Sequence, residues 1–396
     1  MAKRWRRGLL LGFLCGSGLV VGGWAWWKDY CYKNAMEVIE SEVLARRYAN
    51  ACHNLDKLLS WKADSNGGIV YLLGSCELAR GRTKAAGDAW TRVVPGSAFS
   101  ERAIRGRARL FREAGQYAAA EQLINDAALD PRNDRTALLV LLVPMFNDQG
   151  RINEAERLIE NHWEHLNALG EGALEPAIKL VRQHVELGMK PARVETIRAI
   201  LDQASKLAPN DDRAWLGQAN LAIRTGAHDE AERWLDACQR RHPDDVPVWI
   251  ARLHWAVATK RIDVVQQALT HIPATESNPA QVHRVNAWLA AQRGDVADER
   301  RELELWVAAD PAAVAALDRL AEFAAKDSQP ARAAELLRKK ADINRSLARY
   351  MKLHERKQPI RDAAKLARLA EQLGRHFEAR VFLAIANSEE PARSIR

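Results

Sequence analysis

The sequence predicts an all-α chain, a right-handed superhelical solenoid of helix-turn-helix repeats preceded by one N-terminal transmembrane helix. Three observations predict it. Alanine, leucine and arginine dominate, and segments with the β-branched, period-two pattern of strands are hard to find. Glycines recur at Gly81, Gly115, Gly150, Gly188, Gly226, Gly294 and Gly374, with gaps of 34, 35, 38, 38, 68 and 80. An uncharged run occupies Leu9 to Trp27 near the start of the chain.

The leader comes first. Residues 1–8 form a basic stub with Lys3, Arg4, Arg6 and Arg7 and no acid, and 9–27 form the expected anchor. Nineteen residues at ~1.5 Å each approach the roughly 30 Å of a bilayer core. Trp24, Trp26 and Trp27 gather at its far end, where aromatic rings favour the headgroup layer. Cations before the span keep that end inside, which puts the repeats on the extracytoplasmic side of a bacterial inner membrane as a single-pass protein. The rival reading is a cleaved signal peptide with the small residues Gly23 and Ala25 before the cut. Gly8, Gly12 and Gly16, and again Gly18 and Gly22, are spaced four apart, which would let two anchors pair as a homodimer; glycine is also simply common in membrane helices. Four of the eight net positive charges sit in this stub, so the high pI does not mark a nucleic-acid binder.

The repeats follow: a degenerate first unit over 28–66, an array over 67–345 with an insertion around 164–195, and a C-terminal repeat and edge over 346–396. The phrases "GRTKAAGDAW", "GQYAAAEQLI", "GRINEAERLI", "GAHDEAERWL" and "GRHFEARVFL" each place an alanine five residues after the glycine, at Ala86, Ala120, Ala155, Ala231 and Ala379. Prolines at 131, 209, 243, 311 and 391 stop the phrases. Units begin near Tyr32, Gly67, Glu101, Thr136, Leu174, Asp212, Val246, Ala280 and Val314, with a tenth near Ile360. The unit at Val246 carries Lys260 where a turn glycine is wanted, and Ala341 to Pro359 add about a third of a repeat. Together they read as one array.

The copy from Asp212 to Asp245 resembles the tetratricopeptide repeat (TPR) at Trp215, Ala219, Gly226, Ala231, Leu235 and Pro243. Small Ala219 and Ala231 suit a close helix crossing, and Gly226 suits the turn. The resemblance extends over most of 32–391. It implies a concave groove lined by the first helix of each unit, at its second, fifth, ninth, twelfth and thirteenth positions. Those positions give Arg102, Arg105, Arg109, Arg112, Arg213, Asn220, Arg224, His254 and Trp288 as partner-binding residues.

The four arginines come from "SERAIRGRARLFREAG" and share a helical face, beside a packing stripe of Ile104, Ala108 and Phe111. Guanidinium forks there suit carboxylates or phosphates; the alternative is a solvated face neutralised by Glu77 or Asp148. Some chaperone-binding TPR proteins clamp a C-terminal carboxylate, but Leu141 stands where that clamp wants a polar group. At the other end "HFEARVFLAIANSEE" carries more apolar residues than one buried stripe needs, which marks Phe382 and Ile385 as a docking edge unless "YMKLHERK" folds back over them.

No P-loop, dinucleotide fingerprint or HExxH occurs, and Cys15, Cys31, Cys52, Cys76 and Cys238 include no CxxC pair. His162 and His165 alone make no metal site, and Cys52 and Cys76 read as free thiols, with a disulfide as the alternative. The reading is a non-enzymatic, membrane-tethered protein-protein interaction scaffold without cofactor or metal, binding protein partners through acidic peptide segments and no nucleic acid. The alternatives are an envelope polysaccharide or lipopolysaccharide assembly factor, whose lipopolysaccharide type carries a C-terminal cysteine metal domain that this chain lacks, and a non-catalytic subunit of a membrane enzyme complex.

Overall fold

Left-handed backbone punctuates the chain at nearly regular intervals. In the computed structural model, which describes residues 27, 30–61, 64, 67–168, 174–189 and 192–393, φ is positive at Gly81, Gly115, Gly150, Gly226, Gly294 and Gly374, and also at Arg46, Lys260, Ser328 and Lys357. From Gly226 the series 226, 260, 294, 328 keeps a 34-residue step, with Lys260 and Ser328 holding at φ 58° and 60° the conformation that glycine adopts without strain.

These turns separate helix pairs: α1 (30–44) and α2 (Tyr48–Trp61); α3 (Gly68–Ala79) and α4 (Thr83–Thr91); α5 (Ser100–Glu113) and α6 (Tyr117–Leu129). Next come α7 (Arg135–Leu139), a 3₁₀ turn and α8 (Val143–Gln149), paired with α9 (Ile152–Ala168), then α10 (Leu174–Met189), which packs on α9, and α11 (Val194–Leu207), which packs on the following helix. The remaining pairs are α12 (Asp212–Thr225) with α13 (His228–Arg241), α14 (Val246–Ala258) with α15 (Ile262–His271), α16 (Pro279–Arg293) with α17 (Val296–Ala309), α18 (Val314–Lys326) with α19 (Pro330–Glu355), and α20 (Pro359–Gln372) with α21 (His376–Arg393). The described residues contain no strand. The surplus third of a repeat lengthens α19 to 26 residues.

Gly188 is a correction to the turn series: it lies inside α10 rather than at a turn. A Cβ there would come 2.9 Å from Glu156 Oε1, the end of a flexible side chain that can move aside.

Where one continuous array was expected, the chain divides into two compact units, one running to Phe111 and including Gln122–Leu138, the other comprising Arg112–Glu121 and everything from Leu139. In the first, Leu55, Leu58, Val70, Leu73 and Ala86 pack around Trp90. Trp90 fits because Gly74 and Gly106 lack side chains, where a Cβ would fall 2.5 and 2.6 Å from the indole, and its Nε1 donates to the Tyr71 carbonyl at 3.1 Å. In the second, Leu216, Ala219, Ala231, Leu235, Val248, Trp255 and Val265 form a core spanning α12 to α15. Trp215 Nε1 donates to Pro209 O at 2.9 Å, and Trp249 Nε1 to Pro243 O at 2.7 Å, the same tie one repeat later. The expected anchor lies, except for Trp27, outside the described residues, and among those described no helix is long and apolar enough to cross a membrane.

Candidate functional site

The arginine face of α5 is built by burial of the opposite face. Ala103, Ile104 and Ala108 are buried and Phe111 half-buried, which turns Arg102, Arg105 and Arg109 to solvent. The Arg102 guanidinium lies 5.9 Å from the Phe99 ring centroid, within cation–π range. Arg105 Nη2 donates to Glu101 Oε1 at 2.6 Å, an exposed i,i+4 pair of small energetic weight. The fourth arginine departs from expectation. Arg112 donates through Nη2 and Nε to Asp148 Oδ2 at 2.6 and 2.9 Å, and Asp148 is 4% exposed, so Arg112 is a structural pair and not part of a free ridge. Burial pulls the Arg112 pKa down, but Asp148 outweighs it and raises it. Asp148 also accepts from Tyr117 Oη at 3.4 Å. Glu77, the other suggested neutralising acid, pairs with Arg80 at 2.7 Å.

Most other expected groove residues are likewise spent inside the second unit. Arg213 binds Asp245 and reaches Glu121 Oε2 at 3.2 Å. Glu121 Oε2 also accepts from Arg151 Nη1 at 2.9 Å. Arg151, 8% exposed, is further held by Glu154 and stacks on Phe146 with 3.8 Å between guanidinium and ring centroid. Two cations sharing one carboxylate thus join α6, α9, α12 and the cap of α14, with Arg213 tied inside the fold. Asn220 Nδ2 donates to the Gln149 carbonyl at 2.8 Å, again an internal tie. Arg224 is exposed and donates to the Ala192 carbonyl at 2.7 Å. His254 is half-buried in the wall of a cavity of about 30 Å³ beside Leu253, Arg284 and Val285, and burial, aided by Arg284, lowers its pKa to about 4, so it is neutral at pH 7. Trp288 packs half-buried against the α12–α15 core.

The C-terminal docking edge is also corrected. Phe382 and Ile385 are 0% and 1% exposed. The α19 segment containing "YMKLHERK" covers Phe382, with Tyr350 meeting it edge-on at 6.3 Å between ring centroids. Beside this contact lies a cluster that sequence reasoning missed. Buried His184 on α10 faces Glu378 Oε1 of α21 at 3.1 Å through Nδ1 and Glu160 Oε1 of α9 at 3.2 Å through Nε2. Glu378 also accepts from Tyr350 Oη at 2.6 Å and Arg375 Nη1 at 2.7 Å. Burial pulls the His184 pKa down, but hydrogen bonds to Glu160 and Glu378 outweigh it and hold it at about 9. Burial alone would raise the Glu378 pKa, and His184, Arg375 and Tyr350 lower it instead. The only sequence signal was a histidine on the buried stripe of α10.

Cys52, Cys76 and Cys238 are buried thiols, and burial first, then Glu77, pushes Cys52 up to about 11, far from a reactive thiolate at neutral pH. Among the described residues no three histidine, cysteine or acidic side chains gather into a metal site.

Residues 192–253, which hold α11 to α13 and part of α14, match the tetratricopeptide repeat family. Repeats of this family are generally non-catalytic scaffolds for protein–protein contact. No curated protein matches the chain. Among solved structures, yeast Tom70 is similar at 13% identity and TM-score 0.29, over 93% of this chain and 98% of that one. A chain of the APC/C hetero-tetramer Cut9-Hcn1 aligns at 12% identity and TM-score 0.34, over 88% and 85%. The human IFIT1 dimer with m7Gppp-AAAA aligns at 13% and 0.34, over 89% and 95%. These values are too low to carry any residue's role across.

Proposed function

We propose that this protein is a membrane-tethered interaction scaffold that holds an acidic segment of a partner protein against α5. One observation carries the reading: Arg102, Arg105 and Arg109 stand exposed on one face of a repeat helix whose other face is buried. Bidentate guanidinium groups in a row suit a row of carboxylates, and only a weak, exposed Glu101 contact competes at Arg105. The uncharged run over 9–27 supports tethering, and the cations before it support repeats outside the cytoplasm of a bacterial cell.

The test is capture from detergent-solubilised membranes with tagged full-length protein. A defined set of partners should co-purify, weaken as salt rises, and disappear when Arg102 and Arg105 are both changed to Glu, while the unfolding temperature stays unchanged. Partners retained by the charge-reversed chain at equal yield would sink the reading. So would recovery of the chain from the soluble fraction alone.

A further inference from the structure

A second basic surface lies far along the chain from α5, in the second unit. Helices α19 and α20 are joined by a turn at left-handed Lys357 and run antiparallel. Arg349 and Lys352 fall at i and i+3 on α19, with Arg356 at its C-cap, and Lys365 and Arg368 at i and i+3 on α20, so each helix turns cations to the same groove. All five are exposed. Between the rows the floor is Leu353 and Leu369, both half-buried, and the groove holds about 480 Å³. Among the described residues Arg349, Lys352, Lys365 and Arg368 have no acidic partner, and only Arg356 reaches one, buried Asp362 at 3.9 Å.

Unpaired cations that could have been diluted with acids, as the rest of the surface is, leave a strong positive field over an apolar floor. We propose that the α19–α20 groove binds an acidic amphipathic protein segment, about two helical turns long, whose carboxylates meet the two cationic rows while its apolar side chains rest on Leu353 and Leu369. Charge complementarity selects the carboxylates, and the leucines select against a bare polyanion. A nucleic acid would want aromatic or planar stacking partners between the cations, and no aromatic side chain lines this groove. A bilayer surface would want the cations on a flat or convex face, whereas these rows flank a recess. The inference rests on the scaffold reading only in taking a protein segment as ligand; it concerns different residues from α5.

The experiment is fluorescence anisotropy of a labelled peptide of ~12 residues, with glutamates bracketing two leucines at helical spacing, titrated with the full-length chain. Binding should weaken with added salt. Arg349→Glu with Lys365→Glu should weaken it at least about tenfold, at unchanged unfolding temperature because neither residue pairs within the fold. A peptide with serine for both leucines should bind about tenfold or more weakly than the parent. Equal binding by the reversed-charge chain, or by the serine peptide, would overturn the proposal. Tighter, variant-sensitive binding of single-stranded poly-uridine or of phosphatidylglycerol vesicles would overturn it in favour of those ligands. The Arg102→Glu, Arg105→Glu chain should still bind the peptide, so loss of membrane partners there and loss of peptide here are separate failures.

Discussion

Individual side chains in this protein are fixed by what their neighbours lack or supply. Trp90 needs the missing Cβ at Gly106, which would approach the ring to 2.6 Å. Gly106→Ala must therefore displace the indole or its helix, and we expect a loss of about 1–3 kcal/mol, read as a lower unfolding temperature, while Gly81→Ser at a turn with open space above it should be limited to the strain of its left-handed backbone. His184 is fixed by charge. Both ring nitrogens face carboxylates, Glu160 and Glu378, with Glu156, Arg375 and Tyr350 around them, so the imidazolium form fits and the pKa stands at about 9 against an ordinary 6.5. The stability it supplies is thus complete below about pH 6.5 and drains away as pH rises through about 9, up to ~3 kcal/mol in all. Wild-type stability should fall across that interval, and His184→Gln should be less stable at pH 6 with a flatter profile. A variant that keeps the wild-type slope would mean another group titrates there.

At the scale of the element, the helices and most turns were legible because their causes are local. Glycine at positive φ, alanine at a close crossing and proline at a stop are each written at the position where they act, as at Gly226, Ala231 and Pro243. Lys260 shows the limit of that legibility: it occupies the left-handed turn between α14 and α15 because the packed helices on either side demand it. Lys260→Gly should relieve that strain and stabilise the protein by up to about 1 kcal/mol, the backbone gain exceeding glycine's entropic penalty, measured as a raised unfolding temperature. Gly188 failed in the opposite sense, since a glycine inside a helix looks in sequence like one at a turn. The candidate site was legible only in part. The amphipathic face of α5 follows from spacing, so Arg102, Arg105 and Arg109 share an exposed face. Nothing local announces that Arg112 will meet Asp148 or that Arg213 will share Glu121 with Arg151, because a charge carries no address for its partner. Phe382 was misread for the same reason: Tyr350, which covers it, is 32 residues away in a helix of unusual length.

On the scale of the whole molecule, the second unit is tied by contacts that skip over several repeats. Ala118 N donates to Asp211 Oδ2 at 2.9 Å, Arg157 meets Glu276 at 2.5 Å, and α21 returns to α10 and α9 through His184–Glu378 and Arg380–Glu164. Ordinary repeat arrays contact only their nearest neighbours, and so grow or shrink by whole repeats with little penalty. Here the contact between His184 and Glu378 encloses a set number of helix pairs, as a clasp fixes the number of links in a bracelet. Such a protein cannot evolve by casual duplication of a repeat within that span. Inserting one further 34-residue pair after Asp310 should open the clasp, expose Phe382 and Ile385, and lower the unfolding temperature, whereas an insertion that leaves it unchanged would show that the array is open after all.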